Sequence, residues 1–175
     1  MSAKYKILQK ENIDNNPDFL EVKKVANEIF AFMNLPDISQ KISDTHKINA
    51  KSGEIQNILL KKMNELGFKS EKTGLFSKYK TSGLRPDYFK KIGQNKGIII
   101  EVERGKTLEN NMDMLDIWKC HICEEANYLF LIVPQLRPTE KGTESSIYDK
   151  VIYRLESFFK KNNYLNIDAV VIFGY

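Results

Sequence analysis

Gly97-Ile98-Ile99-Ile100-Glu101-Val102-Glu103-Arg104-Gly105, with Arg85-Pro86-Asp87 upstream of it, is the stretch on which the fold turns. Side chains of a strand alternate between its two faces. Glu101 and Glu103 therefore share one face, and Ile98, Ile100 and Val102 share the other, turned into a core. The β-branched neighbours argue for a central strand rather than an edge strand with solvent-facing glutamates. A second strand is expected over residues 87–92. Gln94-Asn95-Lys96-Gly97 turns it into a third over 97–104, so these two pair as an antiparallel hairpin. If the register matches, Asp87 lies beside Glu101, and three carboxylates converge at the end of a largely apolar sheet.

Such a cluster is unfavourable unless something neutralises it, because like charges a few ångströms apart raise one another's pKa. A bound Mg²⁺ or Mn²⁺ removes the penalty, since Mg²⁺ prefers carboxylate oxygens and water. The same ion can polarise a phosphodiester and acidify an attacking water.

Outward from this hairpin the chain reads as a mixed α/β domain. Phe19, Val22, Ala26, Ile29, Phe30 and Met33 recur at helical spacing over residues 17–35, and Pro36 stops that helix. Residues 35–50 are polar and loop-like. A second helix over 52–66 carries Ile55, Ile58, Leu59, Met63 and Leu66, with Ser52 as N-cap and Gly67 as the residue past its end. A first strand is expected over 75–80, separated from the next by Gly83 and Pro86. A third helix starts at Thr107 and carries Leu108, Met112, Leu115 and Trp118. Residues 128–133 form a buried strand, 145–161 a fourth helix, and 169–173 a closing strand. The order α-α-β-β-β-α-β-α-β describes a central sheet covered by helices, read as one domain over residues 1–175.

In this order of elements the sequence resembles the PD-(D/E)XK nuclease superfamily. That family has an αβββαβ core, a Pro-Asp at the start of one strand and a (Asp/Glu)-x-Lys on the next; Pro86-Asp87 and Glu101-Val102-Glu103 fall at those places. The resemblance covers residues 52–134, with an extra N-terminal helix and a C-terminal αβ unit outside it. It implies a restriction-endonuclease-like fold and Mg²⁺- or Mn²⁺-dependent endonucleolytic hydrolysis of double-stranded DNA. Asp87, Glu101 and the Val102 carbonyl would be the metal ligands. Glu103 stands where the family usually has lysine. Some type II restriction endonucleases of the superfamily have a Glu-x-Glu there, and this points to a role in restriction or phage defence. Glu103 is then either the base for the attacking water or a second-metal ligand.

Several positions keep two readings. Glu54 either joins the metal site from its helix or satisfies the helix dipole. Lys119 shares a helix face with Met112 and Leu115, and either snorkels outward or supplies the missing lysine. Arg85, Arg104 and Lys106 are candidate phosphate contacts, and residues 107–111 open a helix whose N-terminus can bind an anion. The alternatives to an active nuclease are a nucleic-acid-binding module that has lost catalysis and a subunit acting with a larger specificity partner. A homodimer with one active site per strand is a third arrangement.

Charge agrees with a phosphate-facing side. The net charge is +4, but residues 61–106 hold twelve Lys or Arg against five Asp or Glu, leaving the remainder of the chain acidic. Cys120 and Cys123 flank His121 in the one Cys-x-x-Cys, too few ligands for structural zinc, and they read as a reduced, partly buried pair. No apolar run has bilayer-spanning length and residues 1–16 show no signal pattern, so a cytoplasmic location is expected.

Overall fold

A computed structural model of the chain describes residues 2–48, 51–70, 75–80, 84–104, 107–138 and 144–175. Five strands form the central sheet: β1 (Lys4–Gln9), β2 (Tyr88–Gly93), β3 (Lys96–Val102), β4 (Tyr128–Val133) and β7 (Ala169–Gly174). Their spatial order is β1-β7-β4-β3-β2. The β3, β4 and β7 strands are mutually parallel neighbours, and the edge strands β1 and β2 run antiparallel to theirs. Strands β4 and β7 are buried along their whole length, as continuous apolar runs covered on both faces must be. A short pair, β5 (Leu136–Pro138) and β6 (Glu144–Ser146), lies apart from this sheet.

Helices α1 (Pro17–Met33), α2 (Pro36–Thr45) and α3 (Ser52–Glu65) supply one core, against Ile98, Ile100, Val102, Phe130 and Val171. Helices α4 (Met112–Ile122) and α5 (Tyr148–Leu155) supply the other, against Ile99, Leu129, Leu131 and Ile172. The Asn16 side chain caps α1 by accepting from the Asp18 amide at 2.9 Å, with Pro17 at the first helical position. Helix α3 is capped at Lys51, whose amide donates to Glu54, and Gly67 follows its end at φ 82°.

Four expectations are corrected. Residues 75–80 form turns rather than a strand: Phe76 is buried, and the Tyr79 hydroxyl accepts from the Glu124 amide at 2.7 Å, tying the segment to the end of α4. Residues 36–45 are helical, beginning at a proline in the first turn and burying only Ile38 and Ile42. The helix expected from Thr107 begins at Met112. The Thr107 hydroxyl donates back to the Arg104 carbonyl at 2.6 Å instead of capping forward, and Asn111 turns the chain at φ 52°. The last helix ends at Leu155 and tightens into a 3-10 turn over Glu156–Phe159. Strand β1 was not expected at all. No helix among the described residues is long and apolar enough to cross a membrane.

Candidate active site

The β2–β3 hairpin positions the first two carboxylates. Tyr88 pairs with Ile100, so the next step of the register sets Asp87 opposite Glu101. Tyr88 and Ile100 belong to the α1/α3 core; by alternation Asp87, Glu101 and Glu103 face α4. Asp87 Oδ2 accepts the Val102 amide at 2.7 Å, and the Gln56 side chain on α3 also bonds this carboxylate. Glu101 is only 4% exposed. Just past β3, Glu103 donates its amide to the Ile132 carbonyl at 2.8 Å, which keeps it on the line of the strand, and it is half-buried.

Helix α4 completes the cluster. The Lys119 ammonium lies 2.6 Å from Glu101 Oε1, 3.3 Å from Asp116 Oδ1 and 3.4 Å from the Arg85 carbonyl. It is held inward rather than snorkelling, with its side chain 11% exposed. Lys119 does not share the face of Leu115 as its spacing suggested. The buried side of α4 is Asp113, Asp116, Ile117 and Cys120, whereas Leu115 and Trp118 are exposed. Asp113 pairs with Arg154 of α5, Nε to Oδ2 at 3.1 Å. Cys120 and Cys123 are both buried and free.

Burial and mutual repulsion dominate the electrostatics. Burial first, then the charges of Asp116 and Asp87, push the Glu103 carboxyl up to about 8. The same causes lift Glu101 well above the usual carboxylate range, against the pull of Lys119. Burial raises Asp87 more than its Val102 hydrogen bond and Lys119 lower it. Burial likewise sends Asp116 up to about 6 in spite of Lys119. For Lys119, burial acts downward, but the attraction of Glu101 and Asp116 outweighs it and the net shift is upward. The ammonium is therefore charged at neutral pH, inside a nest of carboxylates that resist ionising together.

No protein-family model matches the sequence, and no curated protein matches it. Among solved structures, it is similar to the restriction endonuclease BglII complexed with a DNA 16-mer. The match has a TM-score of 0.50 and 13% identity, and covers 99% of this chain and 78% of that one. The chain has a restriction-endonuclease-like fold.

Within that fold, the oxygen donors fit a hard divalent cation: Glu101 and Asp116 are buried and Asp87 and Glu103 half-buried, their charges repel one another, and Asp116 Oδ2 has no hydrogen-bond partner among the described residues. No three Asp, Glu, His or Cys side chains among those residues stand as a ready-made chelating group. Asp87 is turned onto the Val102 amide and Glu101 onto Lys119. Glu54 is exposed, accepts from the amide of Lys51 and closes the start of α3. The side chain that α3 sends to Asp87 is Gln56. Arg104 is buried, with its guanidinium donating to the Lys47 carbonyl, so it does not present itself to a phosphate. Arg85 is exposed beside the cluster. Lys106 lies outside the described residues. Residues 107–111 form turns, so the anion-binding helix N-terminus expected there is absent.

Sequence reasoning missed Asp116, Asp113 and Gln56. A signal existed in Asp113-x-x-Asp116-x-x-Lys119, whose spacing of three keeps the residues along one side of a helix.

Proposed function

We propose that this chain is a Mg²⁺- or Mn²⁺-dependent endonuclease acting on double-stranded DNA, with restriction or phage defence as its role. The observation that carries this reading is the Lys119 ammonium 2.6 Å from Glu101, in a restriction-endonuclease-like fold. It brings from α4 the lysine that the Glu101-Val102-Glu103 stretch lacks.

Asp87, Glu101 and the Val102 carbonyl would hold the metal ion. When bound, it polarises the scissile phosphodiester and acidifies a water. The chain's own residues do the rest. The Val102 amide and Gln56 fix the Asp87 carboxylate, removing the freedom that would otherwise be lost on binding. Lys119 sets a positive charge beside Glu101, where it stabilises the extra negative charge of the pentacovalent phosphorus. Glu103, held near neutrality by its surroundings, is matched to accepting a proton from the attacking water. Arg85, exposed at the rim, contacts a neighbouring phosphate.

Incubating the chain with supercoiled plasmid, with and without Mg²⁺, and mapping the ends tests this directly. The expected result is Mg²⁺-dependent linear product with 5′-phosphate ends. No cleavage of any duplex DNA under either condition, by folded protein, rejects it.

A further inference from the structure

We propose that the Tyr175 hydroxyl is a positioning group for Glu103: it fixes the main chain there, so that the carboxylate stays aimed into the site on the α4 side. The inference rests on the reading of Glu103 as the base and deepens it.

Val102 is the last residue of β3 and pairs with Ile132 of β4. Glu103 follows it, past the end of the strand. Its amide still reaches β4, donating to the Ile132 carbonyl at 2.8 Å. Its carbonyl is taken by a side chain instead of a strand: the Tyr175 hydroxyl donates to it at 3.1 Å. Tyr175 follows β7, which lies on the other side of β4 from β3. Its amide donates to the Val133 carbonyl at 3.0 Å, and its carbonyl accepts from the Gln135 amide at 2.7 Å. The hydroxyl therefore reaches past β4 to the chain leaving β3.

The tyrosine is itself held. Its ring is buried in the core under α1, α2 and α3, with the His46 ring perpendicular to it at 5.4 Å. The Arg104 side chain bonds the hydroxyl and also donates to the Lys47 carbonyl. A guanidinium has donors and no acceptor. The tyrosine oxygen thus accepts from Arg104, and its own proton is directed to the Glu103 carbonyl. This gives the buried Arg104 a task that a phosphate contact did not. One residue on, the Arg104 carbonyl accepts from the Thr107 amide at 3.1 Å and from its hydroxyl at 2.6 Å. Both main-chain polar groups of Glu103, and the carbonyl after it, are fixed.

A base must come within hydrogen-bond reach of its water, and a productive arrangement tolerates displacements of only about 0.5 Å. A carboxylate carried on a loose strand end does not meet that tolerance. A phenylalanine would fill the same core, so packing accounts for the ring of Tyr175 and not for its hydroxyl. Tyr175 lies in the core opposite α4, so it acts through the main chain and touches neither the carboxylate nor a substrate.

The test is a double-mutant cycle on the intact chain, read as single-turnover cleavage of duplex DNA with Mg²⁺. Tyr175→Phe keeps the ring and removes the hydroxyl. It should slow cleavage roughly tenfold, with DNA affinity unchanged. In a Glu103→Gln background the same substitution should slow cleavage no further, because the group it aims is already gone. Amide hydrogen exchange adds a readout that needs no cleavage. In Tyr175→Phe it should quicken at Glu103 and stay as in wild type at Ile100, in the middle of β3. Should Tyr175→Phe fail to fold, Arg104→Gln makes the same cycle, since it removes the donor that turns the hydroxyl toward Glu103. A Tyr175→Phe rate equal to wild type, an undiminished slowing in the Glu103→Gln background, or a Glu103 amide as protected as in wild type overturns the proposal. A wild type that cuts no duplex DNA rejects the nuclease reading, and this role falls with it. A wild type that cuts, with any of those three results, overturns this role alone.

Discussion

Along β3, Ile98, Ile100 and Val102 look onto α1 and α3, whereas Ile99 and Glu101, followed by Glu103, look onto α4. Both sets come from one run of chain and both are largely buried. The first packs apolar against apolar, which is where burial is most favourable per unit area. The second passes from Ile99 to two carboxylates within four residues, and α4 answers with Asp113, Asp116 and Lys119 instead of continuing its apolar stripe. One face of the strand is arranged for stability. The other gives up stability at its C-terminal end for a place where charge is concentrated and water is scarce, which is where a divalent cation and a phosphodiester interact most strongly.

Substitutions that respect this division should separate activity from stability. The largest effect is expected for Asp87→Ala, which should lower cleavage at least about a thousandfold, or roughly 4 kcal/mol of barrier, without lowering the melting temperature. Near-normal cleavage by this variant would remove Asp87 from the site. On the apolar face, Ile100→Ala should cost about 2–5 kcal/mol of stability in a denaturant titration, with the cleavage rate per folded molecule unchanged. A rate that collapsed while the protein stayed folded would show that the two faces are not independent.

Glu103 sharpens the comparison through pH. Its folded-state carboxyl titrates at about 8, against the ordinary 4.5. A raised carboxyl stabilises the fold fully below the unfolded value, and that contribution is lost as pH rises through the folded value. Without added metal, the melting temperature should therefore fall between about pH 5 and pH 9. Glu103→Gln should melt like wild type at the acid end and higher at the alkaline end. Equal melting temperatures at both ends would mean that Glu103 is not held in a repelling environment. In cleavage, Glu103→Gln and Glu103→Lys should each lose at least roughly tenfold, about 1.4 kcal/mol of barrier; the lysine variant is no rescue, because Lys119 already supplies the cation. The smallest expected effect is on phosphate binding: Arg85→Ala should weaken DNA affinity modestly and make the salt dependence about one unit shallower. An unchanged slope would place the DNA on another surface.

Strict alternation made the hairpin legible, because it allows only one assignment of faces once Glu101 and Glu103 are known to lie at the end of an apolar strand. Strands β4 and β7 were legible for a different reason, as continuous apolar runs of the kind a strand covered on both faces requires. Helix α4 was not. Met112, Leu115 and Trp118 present an apolar spacing as good as that of Ile117 and Cys120, and aspartates on a helix ordinarily face water. Only the charge requirement of the site selects the Asp113–Asp116–Lys119 side, and that requirement is tertiary. Strand β1 was passed over because it buries little: Lys4 and Lys6 are exposed, Tyr5 and Ile7 are half-buried, and Leu8 alone is buried. Helix α2 was hidden because two buried isoleucines are too few to mark a periodicity. The turn segment over 75–80 was mistaken for a strand because Leu75, Phe76 and Tyr79 pack as satellites of the α4 core. Helix period, strand period and packed loop cannot be told apart over so short a run.

The proposed activity is hydrolysis of DNA at the acidic end of β3, closed by Lys119. Glu101→Gln tests it most directly, because the amide keeps the volume and a hydrogen bond to Lys119 while removing the charge that holds both the lysine and the metal ion. In a single-turnover assay on duplex DNA with Mg²⁺, folded Glu101→Gln should show no cleavage above the rate without metal, while still retarding the same DNA in a gel. Cleavage by this variant within a few-fold of wild type would contradict the account.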